Sequence, residues 1–243
     1  MKTKKANNAP FVSCIVAAGG RGSRMGADIN KIFLEYGEMP VLAHTLLALE
    51  HSPVISEIVI VAAEPDMLGC KDIAEAYGIK KLSAITVGGA ERQDSVRNGL
   101  SAISSEADIV LIHDAARPLV TGKVLAEVVD AVCEVGAAAT GVACKNTLKV
   151  ADENGFIINT PDRSHMFEIQ TPQGFTPDLI REAHRQAQAD GIIGTDDCFL
   201  VERLNKPVQI VPGDYRNIKI TTPEDLCLAE QYMILQAEEK ENA

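Results

Sequence analysis

Three cations stand among four glycines in AAGGRGSRMGADINK, residues 17–31: Arg21, Arg24 and Lys31. A glycine-rich turn directly after an apolar run lets backbone N–H groups close on an anion without interference from Cβ atoms. Helix-end amides already serve an intact pyrophosphate, so added guanidinium and ammonium groups suit a phosphorus centre that becomes more negative during reaction. Two familiar phosphate loops are excluded. Gly20 and Gly22 begin a G-x-G, but Met25 stands at the third fingerprint position, and no acidic strand end follows to receive a ribose. A Walker loop needs lysine directly after its last glycine, whereas Gly26 is followed by Ala27. The plain alternative is three solvated surface cations.

Two further stretches carry chemistry. IVLIHDAARP ends an apolar run with His113, Asp114 and then Arg117. A carboxylate at the end of a parallel strand faces the crevice where α/β sheets bind ligands, and one Asp suffices for magnesium when substrate phosphates supply other oxygens. Helix capping is the structural alternative for that Asp. The five histidines show no metal spacing, and His113 reads as a hydrogen-bonded neighbour rather than a ligand. GGAERQDSVRNG supplies a second glycine turn and helix start, where backbone amides would read a base or a phosphate, or simply join a strand to a helix.

The elements that must position these residues follow from periodicity. Apolar runs at 11–17, 57–62, 85–87, 109–113 and 137–142 predict buried strands. Between them, 40–50, 66–77, 91–103 and 123–135 repeat apolar residues three and four apart and predict helices. Strand and helix in alternation predict a Rossmann-like, three-layer α/β fold with a mostly parallel sheet. After residue 142 the rhythm changes: TLKV and FIIN flank ADENG, a hairpin signal with no obvious sheet to join. A helix at 177–189, another after Thr195, strands at 208–211 and 218–220 and a last helix capped at Thr222 with Pro223 and Asp225 complete the chain. One unit spanning 1–243 is expected, with the hairpin region at about 142–165 as an arm.

Composition narrows the function classes. With 46% apolar and 4% aromatic residues and no Trp, the core must be built of Ala, Val, Ile and Leu. A net charge of −11 repels a polyanionic duplex, so no nucleic-acid partner is expected. A small phosphorylated substrate is compatible with that charge, because local cations dominate within a Debye length of about 8–10 Å. The six cysteines show no C-x-x-C spacing and read as buried thiols of a cytoplasmic protein rather than a zinc or redox site. No apolar run reaches membrane-span length, so no membrane partner is expected.

Taken in order, AAGGRGSRMG…NK, GGAERQDSV, HDAARP, DRS…IQTPQGF, TDD and NIKITTPEDL resemble the 2-C-methyl-D-erythritol 4-phosphate cytidylyltransferase family. The likeness runs from about residue 12 to 230. It implies a nucleotidyltransferase fold and an enzyme of isoprenoid precursor biosynthesis, which joins CTP to a polyol phosphate with release of pyrophosphate and with Mg2+ on the triphosphate. It further implies that Ala17, Ala18, Gly19, Gly89 and Ser95 hold the cytidine, while Gly20 and Gly22 belong to the loop around the phosphates. Arg24 and Lys31 would stabilise the transition state, and Asp114 would meet the metal. Ala115, Arg117, Thr147, Thr171 and Thr195 would line the polyol phosphate pocket. Arg163 and Lys219 would position the substrate phosphate, Arg163 from the second subunit of a homodimer across the arm.

Three positions depart from the family pattern: Ile32 where Gln is expected, Ala90 where an acid is common, and Asn146 in place of Asp. The first two are expected to lie beside the nucleotide, the third on the arm. Two rival functions remain at this level, a ribitol 5-phosphate cytidylyltransferase and a CTP-binding regulator without catalysis. Ala116 in HDAARP favours methylerythritol phosphate over ribitol phosphate, and the full set of cations speaks against a pure sensor.

Overall fold

The computed structural model of the protein describes residues 9–20 and 30–241. Eleven strands and seven α-helices follow in the order β1 (Val12–Ala17), β2 (Glu35–Tyr36), β3 (Met39–Pro40), α1 (Val41–Glu50), β4 (Glu57–Ala62), α2 (Met67–Ala76), β5 (Leu82–Val87), α3 (Arg92–Ala102), β6 (Ile109–Asp114) and α4 (Gly122–Val135) among the described residues. After these come β7 (Ala137–Ala143), β8 (Val150–Ala151), β9 (Ile157–Asn159), β10 (Phe167–Phe175), α5 (Pro177–Ala189), α6 (Asp197–Glu202), β11 (Gln209–Pro212) and α7 (Pro223–Glu241).

Seven strands form one sheet in the order β11-β7-β10-β6-β1-β4-β5. Every neighbouring pair is parallel except those of β10, which runs antiparallel to both β6 and β7. Side chains of a strand alternate between faces, and the core divides accordingly. Val12, Cys14 and Val16 of β1 pack with Ile58, Ile60 and Leu111 under α1, α2 and α4. Ile15 packs with Val59, Val61, Val110 and Ile112 under α3, α5 and α6. Layers of helix, sheet and helix result, as the alternating pattern predicts.

Helix α3 approaches the sheet closely because Gly99 faces it: a Cβ there would lie 2.7 Å from Ile15 Cγ2 and 2.9 Å from Val61 Cγ2. Gly174 of β10 does the same for α4, where a Cβ would lie 2.8 Å from both Val128 Cγ1 and Val132 Cγ2.

Two expectations need correction. Residues 218–220 form no strand; Ile220 N–H instead donates to Ala116 C=O at 2.8 Å and ties this segment to the end of β6. The nine-residue strand β10 is absent from the periodicity reading, because Pro172 and Gly174 punctuate its sequence as a loop would. The hairpin is present: β8 and β9 pair antiparallel in a two-stranded sheet of their own, around a turn in which Asp152 Oδ1 accepts from Asn154 N–H and Phe156 N–H. Its apolar residues Phe156, Ile157 and Ile158 are exposed. Of the cysteines, Cys14, Cys70 and Cys198 are buried as expected, whereas Cys133 and Cys227 are exposed and Cys144 is half-buried.

Candidate active site

The carboxyl ends of three parallel strands bring the chemistry-bearing stretches to one edge of the sheet. Ala17 of β1 lies in register with Asp114 of β6, and Ala62 of β4 with Val87 of β5. The exit of β1 into the glycine loop, the HDAARP turn and the Gly88–Gly89 turn therefore open together, at the crevice where such sheets bind ligands. Ala18 N–H donates to Val61 C=O at 2.8 Å and Ala115 N–H to Ala17 C=O at 3.1 Å, which fixes the backbone at both sides.

The chain returns from the glycine loop at Asn30. Its Nδ2 donates to Ala18 C=O at 3.2 Å and to Asp66 Oδ2 at 2.8 Å, while Oδ1 accepts from Ile32 N–H at 3.3 Å. Asn30 thus caps the short 3-10 turn Lys31–Phe33 and ties it to the end of β1. Lys31 follows directly and is 9% exposed, so it is held against the protein rather than solvated. Arg24, Gly22 and the rest of residues 21–29 lie outside the described residues.

Asp114 forms the centre of the other half. Lys219 Nζ lies 2.9 Å and Arg117 Nε 3.5 Å from its Oδ2, and Arg92 Nε lies 3.8 Å from its Oδ1. Burial alone would push this carboxyl up, but Lys219, Arg92 and Arg117 together outweigh it and bring its pKa down to about 2. Three cations thus gather around Asp114 in a chain of net charge −11, with Arg92 shared with Asp197. Lys219 arrives on the segment that Ile220 pins to Ala116, and Arg117 Nη1 donates to Asn217 C=O at 2.7 Å.

A closed ring of hydrogen bonds sets the orientation of these groups. His113 is buried, and the desolvation of its ring lowers its pKa to about 4. Nε2 lies 3.1 Å from Arg117 C=O, which can only accept, so the neutral ring carries its proton there. Nδ1 then accepts from Thr171 Oγ1–H at 3.0 Å, and that same oxygen accepts from Asp114 N–H at 3.0 Å. Thr171 is thereby committed to orienting His113 and Asp114. Asn217 Nδ2 donates to Thr171 C=O at 2.9 Å and joins the ring to the Lys219 segment.

At the second glycine turn, Ser95 Oγ accepts from Gly89 N–H at 3.1 Å and donates to Glu91 C=O at 3.1 Å. A Cβ at Gly19 would lie 3.7 Å from that hydroxyl and one at Gly88 3.0 Å from it, so Ser95 stands between the two glycine turns. Gly20 is exposed beside them. Thr195 is exposed one residue before Asp196, which caps α6. Thr147 and Arg163 are exposed on the region that carries β8 and β9, and Arg163 Nη1 donates to Lys145 C=O at 2.8 Å. The structure therefore joins Asp114, Arg117, Thr171 and Lys219 directly and leaves Thr147 and Arg163 on the hairpin side.

The fold and this crevice have known counterparts. The family model of 2-C-methyl-D-erythritol 4-phosphate cytidylyltransferase, IspD, matches residues 12–235. The chain belongs to this family. A protein of that name from Caldanaerobacter subterraneus subsp. tengcongensis is 45% identical over 91% of this chain and 98% of its own length. One from Syntrophus aciditrophicus is 47% identical over 92% and 96% respectively. Among solved structures, 4-diphosphocytidyl-2C-methyl-D-erythritol synthase from Anaerococcus prevotii superposes with a TM-score of 0.83 at 32% identity, covering 93% of this chain and 99% of that one. The cytidylyltransferase from Thermus thermophilus gives 0.73 at 34% identity, covering 91% and 98%.

Within this cytidylyltransferase chain, Ile32 is buried in the core under α1 and α2, where an apolar residue belongs. Asp114 has a cation beside each of its oxygens, and among the described residues no three His, Cys, Asp or Glu side chains converge, so these residues build no all-protein metal cage; a metal carried by a triphosphate would need only the one carboxylate. Sequence reasoning also assigned no role to Asn30, Arg92, Gln173, His184 or Asp197. Arg92 and Asp197 stand in quoted motifs far apart in the chain, yet Arg92 Nη1 lies 2.6 Å from Asp197 Oδ2.

Proposed function

We propose that this enzyme transfers the cytidylyl group of CTP to 2-C-methyl-D-erythritol 4-phosphate. A phosphate oxygen of the polyol phosphate attacks the α-phosphorus of CTP, the bond to the bridging α–β oxygen breaks, and pyrophosphate leaves with that oxygen. The product is 4-diphosphocytidyl-2-C-methyl-D-erythritol. The nucleophile is already ionised at neutral pH, so the protein needs no general base; its contribution is positioning and charge neutralisation. The observation that carries this reading is the cluster of Lys219, Arg117 and Arg92 on Asp114, one strand away from the exit into the glycine loop.

Ala17, Ala18, Gly19, Gly89 and Ser95 hold the cytidine, and the loop with Gly20 and Gly22 wraps the triphosphate. Arg24 and Lys31 stabilise charge on the nonbridging oxygens as the phosphorus centre is attacked. Lys219 and Arg117 receive the polyol phosphate beside Ala115 and Thr195, with Thr171 orienting them. Magnesium bound with CTP would partly neutralise the triphosphate, and Asp114 would be the residue that meets it.

The active form is a homodimer in which the arm at about 142–165 carries Arg163 and Thr147 to the partner's pocket. The exposed apolar triplet Phe156, Ile157 and Ile158 supports this reading, since such a patch on a two-stranded hairpin suits burial against a second copy. Light scattering is expected to give twice the chain mass, with a fully active monomer as the contrary result.

The reading is tested by incubating the protein with magnesium, each common nucleoside triphosphate in turn, and either methylerythritol phosphate or ribitol 5-phosphate, while pyrophosphate is followed. CTP with methylerythritol phosphate is expected to give the fastest release. Faster release with ribitol 5-phosphate, or CTP binding without release, would replace this assignment.

A further inference from the structure

We propose that Asp197, braced by His184, is a positioning residue for the polyol phosphate: through Arg92 it holds Asp114 and the Thr195 turn in their working places. This inference rests on the cytidylyl-transfer reading above.

Arg92 occupies the first position of α3, where the positive end of the helix dipole disfavours a cation. Its placement there calls for acidic partners, and two are present. Nη1 lies 2.6 Å from Asp197 Oδ2, and Nε lies 3.8 Å from Asp114 Oδ1. The planar guanidinium spans both carboxylates, which a compact ammonium on a flexible stem would not reproduce. A brace serving only to hold α3 to α6 would end at Arg92; here its other edge faces the carboxylate that gathers Lys219 and Arg117.

Asp197 is buried, and an unpaired carboxylate in such a place is costly. Both of its oxygens are engaged: Oδ2 by Arg92 and Oδ1 by His184 Nε2, which donates at 3.0 Å from α5. Its backbone N–H donates to Gln173 Oε1 at 3.2 Å, and Gln173 Nε2 donates to Asp196 Oδ2 at 2.8 Å. Asp196 Oδ1 in turn accepts from Phe199 N–H at 2.9 Å. The turn that presents Thr195 is thus clamped to β10 on one side and to Arg92 on the other. The cytidine side has its own supports, since Ser95 bonds Gly89 and Glu91, and Asn98 Nδ2 donates to Val87 C=O at 2.9 Å. Loosening Asp197 should therefore be felt by one substrate and not by the other.

Steady-state kinetics of the full chain, with each substrate varied in turn, test this on Asp197→Asn, Arg92→Lys and the double variant. Each single change is expected to raise KM for methylerythritol phosphate by about tenfold or more while KM for CTP stays within about twofold. Because the two residues act in series, the double variant should be no worse than the poorer single one. Should Asp197→Asn fail to fold, Arg92→Lys, at a half-exposed position, carries the same substrate-selective test. Equal shifts in both KM values, unchanged KM values with only a lower unfolding temperature, or effects that add in the double variant would overturn the positioning role. A wild-type protein that releases no pyrophosphate would instead sink the transfer reading on which it rests.

Discussion

The placement of Lys31 is set by its neighbours. Asn30 binds back to Ala18 and Asp66 and caps the turn that begins at Lys31, so the side chain starts from a fixed point beside the end of β1. Lys31→Ala is expected to lower kcat by about 10²- to 10³-fold, as removal of one preorganised electrostatic donor does. Lys31→Arg should also be impaired, because a planar fork does not occupy the position of a compact ammonium. Near-normal single-turnover rates in both variants would remove Lys31 from the chemistry. At this scale the sequence shows residue types better than partnerships. Asp114, Arg117 and Lys219 were legible from their motifs and do converge. Arg92 and Asp197 were not, since neither motif marks them as partners and the fold alone brings them together.

Among the elements, the parallel strands and their flanking helices were legible because a strand covered on both faces reads as an unbroken apolar run. β4 follows its apolar run at 57–62 residue for residue. β10 was illegible for the opposite reason: its residues from Gln170 onward are buried, yet Thr171, Pro172, Gln173 and Gly174 carry little of the β-branched, apolar signature. Gln173 and Thr171 use their polar side chains to bond Asp196 and His113, so buried hydrogen bonding takes the place of the usual strand composition. Gly99 shows how an element reaches its seat. Gly99→Val would drive a side chain into Ile15 and Val61 and is expected to destabilise the fold by about 1–3 kcal/mol. Chemical denaturation measures this; an unchanged midpoint would show that α3 does not need its close approach to the sheet.

For the whole molecule, the buried His113 links the site to pH. Its pKa falls from 6.5 to about 4 on burial, so between those values the unfolded chain binds a proton that the folded one does not. Stability is therefore complete above about pH 6.5 and declines as pH falls toward 4, by at most about 1.4 kcal/mol per pH unit for this one group. Asp114, with its pKa brought from 3.8 to about 2, adds a second loss that sets in below pH 3.8. Denaturant midpoints across this range are expected to drop with acid, and a flat profile between pH 6.5 and 4 would show that His113 is not held neutral. The net charge of −11 was readable at once and excludes a general attraction for anions. What it could not show is that three cations are gathered around one buried carboxylate.

The central claim is direct attack of one anionic substrate on another between fixed cations, with the protein supplying no nucleophile. The stereochemical course at phosphorus tests it most directly, using CTP carrying a single chiral sulfur on the α-phosphorus together with methylerythritol phosphate. Direct in-line transfer predicts a product of inverted configuration. Retention would require a covalent cytidylyl-enzyme between two displacements and would contradict the account.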